Sequence, residues 1–294
     1  MTALAGFLLV CLGLASFIAV RNYRAARSLI EADPPSQLLK QAGGAKAENL
    51  QSVAFVSRGF HLAGWYIPSK DRAAVVITHG TNGDRASMLA ETRLLAAAGF
   101  GVLSFDWPGL GESEGPIRWG AEAKDALSAA IDWLAARPDV DPNRIGGLGF
   151  SVGGFVLTQV AAKDRRLRAV VIEAAPTDFD AYVSVHYAKW GFLSKWPARW
   201  ALRDSGLFSA DSALRLIGEI SPRPLFIIAQ TGDPEIPESM TRKLDEAARP
   251  PKQLWLMSGA RHGAYEESAG KEYERRLREF FEDNLVKPGT DYPP

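Results

Sequence analysis

Short, nearly continuous apolar runs recur along this chain from residue 73 onward, and helical stretches lie between them. Such runs are typical of strands that are covered on both faces. The alternation therefore predicts an α/β fold, with a mostly parallel central sheet and helices on both faces. The predicted parallel strands are Ala73–Thr78, Gly101–Phe105, Ile145–Phe150, Leu167–Ala174, Pro224–Ala229 and Gln253–Met257. The predicted helices are Ser87–Ala98, Glu122–Ala136, Val152–Ala162, Pro237–Ala248 and Lys271–Leu285.

Two segments depart from this alternation. Residues Gln51–Ser57 and Phe60–Ile67 alternate in polarity on either side of Arg58-Gly59, which predicts an antiparallel N-terminal hairpin. Between the fourth and fifth parallel strands, residues 176–222 break the pattern, and we interpret them as an insertion. We expect one α/β domain over residues 50–286, including this insertion, followed by a C-terminal tail over 287–294.

The N-terminal segment differs in composition from the rest of the chain. Ala3–Val20 carries no charged residue and is nearly long enough to cross a bilayer as a helix. Three basic residues follow it and none precedes it, namely Arg21, Arg24 and Arg27. This bias predicts an uncleaved membrane anchor over residues 1–20 with the globular domain in the cytoplasm. The alternatives are a buried helix and a cleaved signal peptide, which would leave a secreted or periplasmic protein. The polar stretch 21–49 predicts a linker.

Charge and cysteine content exclude several classes of function. The 34 Lys and Arg residues balance 34 Asp and Glu residues, so no overall basic field favours binding to nucleic acid. The single cysteine, Cys11, excludes an intrachain disulfide framework and a cysteine-rich metal site. The sequence contains neither a phosphate-binding loop nor a dinucleotide fingerprint, and we expect no cofactor and no metal.

Residues that can carry hydrolytic chemistry follow the predicted strands. Ser151 lies in the sequence Gly149-Phe-Ser-Val-Gly153 after the third parallel strand, Asp233 follows the fifth strand and His262 follows the sixth. Loops at the carboxyl ends of parallel strands lie at one edge of the sheet, so we expect these side chains to meet. A serine hydroxyl needs an adjacent base to become a nucleophile, and the two glycines permit the tight turn that would display it.

An oxyanion site is expected beside the serine. The helix predicted to begin at Val152 directs free N–H groups toward a developing negative charge, so we assign the Val152 N–H as the first donor. A second donor is expected from the loop 79-HGTNGD-84, which follows the first parallel strand. We favour the N–H of Thr81, with Asn82 as a close competitor.

The order serine, acid, histidine and the strand before each of them resemble the α/β-hydrolase superfamily. The resemblance covers about residues 50–285 and rests on the Gly-x-Ser-x-Gly turn, on His79-Gly80, on 230-QTGDPEIP-237 and on 261-RHG-263. The hairpin and the loop 106-DWPGLGESEG-115 are similar to the esterase and serine-aminopeptidase-like branches. The resemblance implies that His79 shapes the oxyanion loop and that residues 176–222 form a helical cap over the active site. It also favours Asp233 as the acid.

The base and the acid are chosen from few candidates. His262 is the one histidine of four that follows a parallel strand, lies among glycines and precedes the last helix, so we assign it as general base. Asp178, which follows the fourth strand, and Glu235 are rivals to Asp233. We expect Asp106 to make structural hydrogen bonds in its loop.

These assignments predict a membrane-anchored serine hydrolase that cleaves a carboxylic ester or thioester through an acyl-enzyme. The substrate would be a small-molecule ester, lipid-like if the cap faces the membrane. A serine peptidase or amidase, and a non-catalytic binding protein that retains the fold, are the alternatives. The aromatic and apolar cap residues could line an acyl pocket, pack the cap onto the domain or, with the interleaved Lys189, Lys195, Arg199 and Arg203, lie in a headgroup layer. They are Tyr182, Tyr187, Trp190, Phe192, Leu193, Trp196, Trp200 and Phe208.

Overall fold

The computed structural model describes residues 2–31, 34–44, 50–208 and 211–287. Within these ranges the strands form one eight-stranded sheet in the order β1-β2-β4-β3-β5-β6-β7-β8. β2 runs antiparallel to β1 and β4, and all other neighbours are parallel, which confirms the predicted fold class. The strands are β1 (Gln51–Ser57), β2 (Phe60–Ile67), β3 (Ala74–Thr78), β4 (Gly101–Phe105), β5 (Ile145–Phe150), β6 (Leu167–Glu173), β7 (Leu225–Gln230) and β8 (Lys252–Met257).

Helices cover both faces of the sheet. Two adjacent glycines of β5 show how closely the helices approach the strand on each face. A Cβ atom on Gly146 would lie 2.7 Å from the Phe281 ring, whereas one on Gly147 would lie 2.7 Å from Leu157 on the opposite face. The α-helices are α1 (Thr2–Arg27), α2 (Gln37–Gly44), α3 (Leu89–Ala97), α4 (Ala121–Ala135), α5 (Val152–Ala161), α6 (Phe179–Tyr187), α7 (Trp196–Ala201), α8 (Ala213–Leu216), α9 (Glu238–Ala247), α10 (Tyr265–Ala269) and α11 (Lys271–Phe281).

The N-terminal hairpin forms where its sequence predicts it. Arg58 and Gly59 both have positive φ angles, 51° and 83°, and Ser57 pairs with Phe60. Two such residues make the tight turn whose twist matches that of the flanking strands. Since β2 also pairs with β4, the hairpin extends the parallel sheet at one edge.

Short helices form the cap between β6 and β7. It comprises α6, a 3₁₀ turn over Phe192–Lys195, α7 and α8. Tyr182 and Tyr187 are buried, but Trp190, Trp196 and Trp200 are 60%, 48% and 57% exposed. About half of each of these three side chains is exposed, and the interpretation that they line an acyl pocket stays a prediction. The side chain of Phe192 lies outside the described part of the chain.

Helix α1 is long and apolar enough to cross a membrane, by its length and composition. The large apolar side chains between Leu4 and Val20 are mostly exposed, whereas Asn22 and Ala26 are buried. The structure therefore differs from the predicted boundary at residue 20, because residues 21–27 continue α1 instead of starting a linker. Within the predicted linker, α2 is helical, and residues 32–33 and 45–49 lie outside the described ranges, as does the predicted tail beyond Lys287.

Candidate active site

Ser151 occupies the sharp turn between β5 and α5. Its φ of 54° and ψ of −122° form a conformation that residues with a side chain rarely adopt. The Ser151 N–H donates to the carbonyl oxygen of Glu173 at 2.8 Å, and its own carbonyl accepts from the N–H of Phe155 at 3.0 Å. Because strand and helix hold the backbone on both sides, the hydroxyl is presented at the carboxyl edge of the sheet.

Two glycines make this turn possible by leaving out a side chain. A Cβ atom on Gly149 would lie 2.8 Å from the backbone of Gly153. A Cβ atom on Gly153 would lie 2.5 Å from the carbonyl oxygen of His79 and 2.6 Å from that of Thr78. Real Cβ contacts are longer than this, so the spacing Gly-x-Ser-x-Gly reflects backbone segments that touch on both sides of the serine.

His262 and Asp233 complete a hydrogen-bonded row with Ser151. The Nε2 atom of His262 lies 3.0 Å from Ser151 Oγ, and its Nδ1 atom lies 2.8 Å from Asp233 Oδ2. The Asp233 side chain is fully buried and that of His262 is 21% exposed. Since a carboxylate only accepts, Nδ1 carries the proton and Nε2 is left to accept the hydroxyl proton of Ser151. The structure thus brings together the three residues that the sequence predicts.

Backbone donors fix the carboxylate of Asp233. Its Oδ1 atom accepts from the N–H of Glu235 at 2.8 Å and from that of Ile236 at 3.0 Å. The two rivals are used elsewhere, because Asp178 caps α6 through the Ala181 N–H, and the Glu235 carboxylate accepts from the Tyr182 hydroxyl at 2.9 Å. Of these three carboxylates, Asp233 is therefore the one that contacts His262.

Gln230 positions the histidine loop and has no role in the sequence-based assignment. It is fully buried at the end of β7. Its side-chain oxygen accepts from the N–H of Arg261 at 3.1 Å, and its amide nitrogen donates to the carbonyl of Gly263 at 2.9 Å. These two hydrogen bonds fix the backbone of the residues immediately before and after His262. In the sequence, the one indication of this role is that Gln230 is an amide residue at the end of an otherwise apolar strand.

The His79 side chain makes hydrogen bonds within and beside the loop 79–84, which is predicted to carry an oxyanion donor, and none of them is to Ser151. Burial lowers its pKa to about 4, so the ring is neutral at pH 7. Its Nδ1–H donates to the carbonyl of Gly80 at 2.8 Å, and Nε2 accepts from the N–H of Trp107 at 3.3 Å. The indole N–H of Trp107 returns a bond to the His79 carbonyl at 2.8 Å.

The two predicted oxyanion donors come from segments on either side of Ser151. A Cβ atom built on Gly80 would lie 3.2 Å from the Cβ of Ser151, and Thr81 follows in the next turn. Asn82, its competitor, has a φ of 53°. Val152 is the first residue of α5, and the first N–H groups of a helix have no partner within it.

The remaining candidates have structural partners. Asp106 is buried, accepts from the N–H groups of Arg85 and Glu112, and pairs with the Arg85 guanidinium. Burial raises its pKa to about 6. His61 is exposed on β2, and His186 bonds the carbonyl of Glu235 through Nε2 at 2.8 Å. Within the described ranges, no group of three or more His, Cys, Asp or Glu residues is placed to hold a metal ion.

Comparison with known proteins identifies the family. The model of the X-Pro dipeptidyl-peptidase (S15) family matches residues 35–268, which include Ser151, Asp233 and His262. The chain belongs to the S15 family. It is 29% identical to the Escherichia coli K12 protein YfhR over 241 residues, which cover 78% of this chain and 80% of YfhR. It is 31% identical to the Mycobacterium tuberculosis protein Rv2307c over 233 residues, covering 78% and 77% of the two chains.

Solved structures agree with this assignment at the level of the fold. The Pyrococcus furiosus esterase Pf2001 superposes with a TM-score of 0.70 at 21% identity, covering 88% of this chain and 97% of the esterase. The S15-family match and this shared fold show that the chain is an α/β hydrolase.

A buried acidic pair lies beneath the serine turn of this S15-family hydrolase. Glu173 ends β6, and the hydroxyl of Tyr273 donates to its Oε1 atom at 2.7 Å. The same hydroxyl oxygen lies 3.3 Å from Oε1 of Glu91. Burial raises the pKa of Glu91 to about 7 and that of Glu173 well above its usual range. Burial therefore favours the protonated form of both carboxyl groups. No local pattern predicts this pair, although Glu173 is a charged residue at the end of a largely apolar strand.

Proposed function

We propose that this S15-family protein is a serine hydrolase that cleaves a carboxylic ester or thioester through an acyl-enzyme. The continuous hydrogen-bonded row from Asp233 through His262 to Ser151, at 2.8 and 3.0 Å, carries the proposal. In this row each proton donor faces an acceptor in the order that nucleophilic catalysis requires.

In the proposed first step, His262 Nε2 takes the proton of Ser151 as Oγ attacks the substrate carbonyl carbon. The carbonyl oxygen becomes negative, and the N–H groups of Val152 and Thr81 stabilise it. Asp233 keeps Nδ1 protonated and stabilises the imidazolium. The ring then gives its proton to the leaving alkoxide or thiolate as the bond to the carbonyl carbon breaks.

In the second step, the same ring takes a proton from a water molecule, whose oxygen attacks the acyl-enzyme. The tetrahedral intermediate collapses, and the ring returns the proton to Ser151 Oγ as the acid leaves. This cycle regenerates the enzyme and consumes one water molecule for each ester. It requires no group beyond the chain's own residues.

A fluorophosphonate probe tests the nucleophile directly. We expect one covalent adduct on the parent protein, located on the peptide that contains Ser151, and no adduct on Ser151→Ala. Labelling of Ser151→Ala at the parental rate would contradict the assignment. Asp233→Asn serves as the comparison that keeps the serine but impairs the base.

A peptidase or amidase is the second candidate, because the matching family is described as X-Pro dipeptidyl-peptidases. The same residues would act, with His262 protonating an amine leaving group. The experiment compares kcat/KM for p-nitrophenyl esters of graded chain length with that for Xaa-Pro p-nitroanilides. Turnover of the esters with no turnover of the Xaa-Pro anilides supports the ester assignment, and turnover of the anilides that Ser151→Ala abolishes would support the peptidase.

The proposal includes anchoring by α1, with the catalytic domain on the cytoplasmic side. The exposed apolar stretch and the arginines after it support this arrangement. We expect the protein to stay in membranes after a carbonate wash, with its full-length mass. A shortened N-terminus in the soluble fraction would instead indicate a cleaved signal peptide. Protease access from the outer side of intact cells tests the orientation.

A further inference from the structure

The cap carries four large apolar side chains that stay about half or more exposed in the folded protein. Trp190, Leu193, Trp196 and Trp200 are 60%, 73%, 48% and 57% exposed, and we call these four residues the cap patch. A soluble surface rarely exposes so many large apolar side chains together, and three tryptophans are typical of residues at a membrane–water interface.

The cap patch lies where the apolar part of α1 ends. The Tyr23 ring of α1 lies 5.2 Å from the Trp200 ring, measured between centroids. The buried Asn22 side chain donates to the carbonyl oxygens of Tyr187 at 3.1 Å and Ser194 at 2.7 Å. These bonds join α1 to the two ends of the segment that carries Trp190 and Leu193. These contacts therefore fix the cap patch at the level of Asn22 and Tyr23, just after the apolar part of α1.

Basic residues lie beside this patch. Lys189, Lys195, Arg199 and Arg203 lie in residues 179–205, which contain two acidic residues, Asp180 and Asp204. The Arg203 guanidinium lies 5.1 Å from the centroid of the Trp200 ring, and that of Arg199 lies 6.0 Å from the centroid of the Trp196 ring. These two arginines also pair with Asp204 and Asp180, so the segment keeps a smaller net positive charge, to which Arg21 and Arg24 of α1 add. Aromatic rings with adjacent cations match a layer of anionic phospholipid headgroups.

We infer that the cap patch inserts into the headgroup layer of an anionic phospholipid bilayer, on the side where α1 leaves the membrane. This inference rests on the proposed anchoring by α1, because that helix brings the patch to the bilayer. It adds a second membrane contact, made by the folded domain. Helix α6 connects the cap to the acid loop, since His186 bonds the carbonyl of Glu235, two residues after Asp233. The same helix ends at Tyr187, whose carbonyl accepts from Asn22 of α1.

Tryptophan quenching by brominated lipid tests this contact in the full-length protein. Helix α1 contains no tryptophan, so the anchor itself cannot be quenched. The protein is reconstituted into phosphatidylcholine–phosphatidylglycerol vesicles with or without bromine near the top of the acyl chains. We expect bromine to reduce the emission by up to three eighths, the share of the three exposed cap tryptophans among eight. A triple Trp190→Gln, Trp196→Gln, Trp200→Gln variant should lose this quenching, and Trp133→Phe on α4 should retain it.

The outcomes separate the cap contact from the anchor. Flotation with the vesicles reports anchoring, and quenching reports the cap. Protein that floats but shows equal emission in plain and brominated vesicles overturns the inference and leaves the anchor intact. Protein that does not float overturns both. Fluorophosphonate labelling of the triple variant at the parental rate shows that it is folded. We expect quenching to be weaker in the Lys189→Glu variant and in vesicles without phosphatidylglycerol. That result would support the role of the basic residues.

Discussion

Replacing Gly153 by alanine tests the reason for the second glycine of the serine turn. Gly153 is the second residue of α5, where a helix ordinarily favours alanine over glycine by about 1 kcal/mol. Here the added Cβ would meet backbone atoms of the end of β3, 2.5 Å from the His79 oxygen and 2.6 Å from the Thr78 oxygen. Backbone cannot rotate away as a side chain can, so α5 and the oxyanion loop must separate.

The size of this separation sets the expected effect. Reaching even 3.0 Å, a limit below which real Cβ contacts are essentially never found, requires a shift of 0.5 Å, from 2.5 to 3.0 Å. Overpacking of this kind costs about 1–3 kcal/mol. At about 2–4 °C per kcal/mol for a domain of this size, the melting temperature should fall by roughly 2–12 °C. The shift separates Ser151 from the oxyanion loop, and a misplacement near 1 Å costs about 10²-fold in rate, so kcat/KM should fall by about 10- to 100-fold.

The assay combines a thermal melt with hydrolysis of a p-nitrophenyl ester by the same preparations. Gly13→Ala is the matched control, because this glycine is also helical and an added Cβ there meets nothing within 4 Å. We expect the control to behave like the parent protein. A Gly153→Ala variant with parental melting temperature and parental turnover would refute the argument that backbone contact dictates the glycine.

Three further substitutions test the rest of the site. Asp233→Asn should lower kcat by about 10⁴-fold, measured on the same ester, with little change in melting temperature. Gln230→Leu leaves buried partners on both sides of His262 unpaired, so it should cost about 1–3 kcal/mol in denaturant unfolding and slow fluorophosphonate labelling. Burial raises the pKa of Glu91 from 4.5 to about 7, so the folded state binds this proton more tightly and the contribution of Glu91 to stability should fall as pH rises through that interval. The lowered pKa of buried His79 acts in the opposite direction, so the variant is compared with the parent at each pH. Glu91→Gln should gain stability relative to the parent between pH 5 and 8, measured by thermal melts.

Each of these expectations has an opposite result that would count against it. Parental turnover by Asp233→Asn would transfer the role of the acid to Asp178 or Glu235. Parental stability of Gln230→Leu would show that the histidine loop is held by other contacts. A difference in stability between Glu91→Gln and the parent that stays constant from pH 5 to pH 8 would mean that Glu91 ionises without penalty.

Local patterns were sufficient for the fold and for part of the site. The apolar runs, the hairpin turn at Arg58-Gly59 and the glycines around Ser151 each depend on a few neighbouring residues, since strand period, turn conformation and tight backbone contact are short-range properties. The order of the loops then follows from the parallel sheet, which places Ser151 and His262 at one edge. These features could be derived from the sequence alone.

The remaining features depend on residues that are distant in sequence. The sequence left Asp178 and Glu235 as rivals to Asp233, and the choice depends on which carboxylate reaches His262 in the folded chain. The hydrogen bonds of Gln230 to the histidine loop, and those of Tyr273 to Glu91 and Glu173, likewise need contacts that no local pattern encodes. The sequence determined which chemical groups line the edge of the sheet. The tertiary structure decided which of them meet, because hydrogen bonding and desolvation depend on distances of a few ångströms between separate segments.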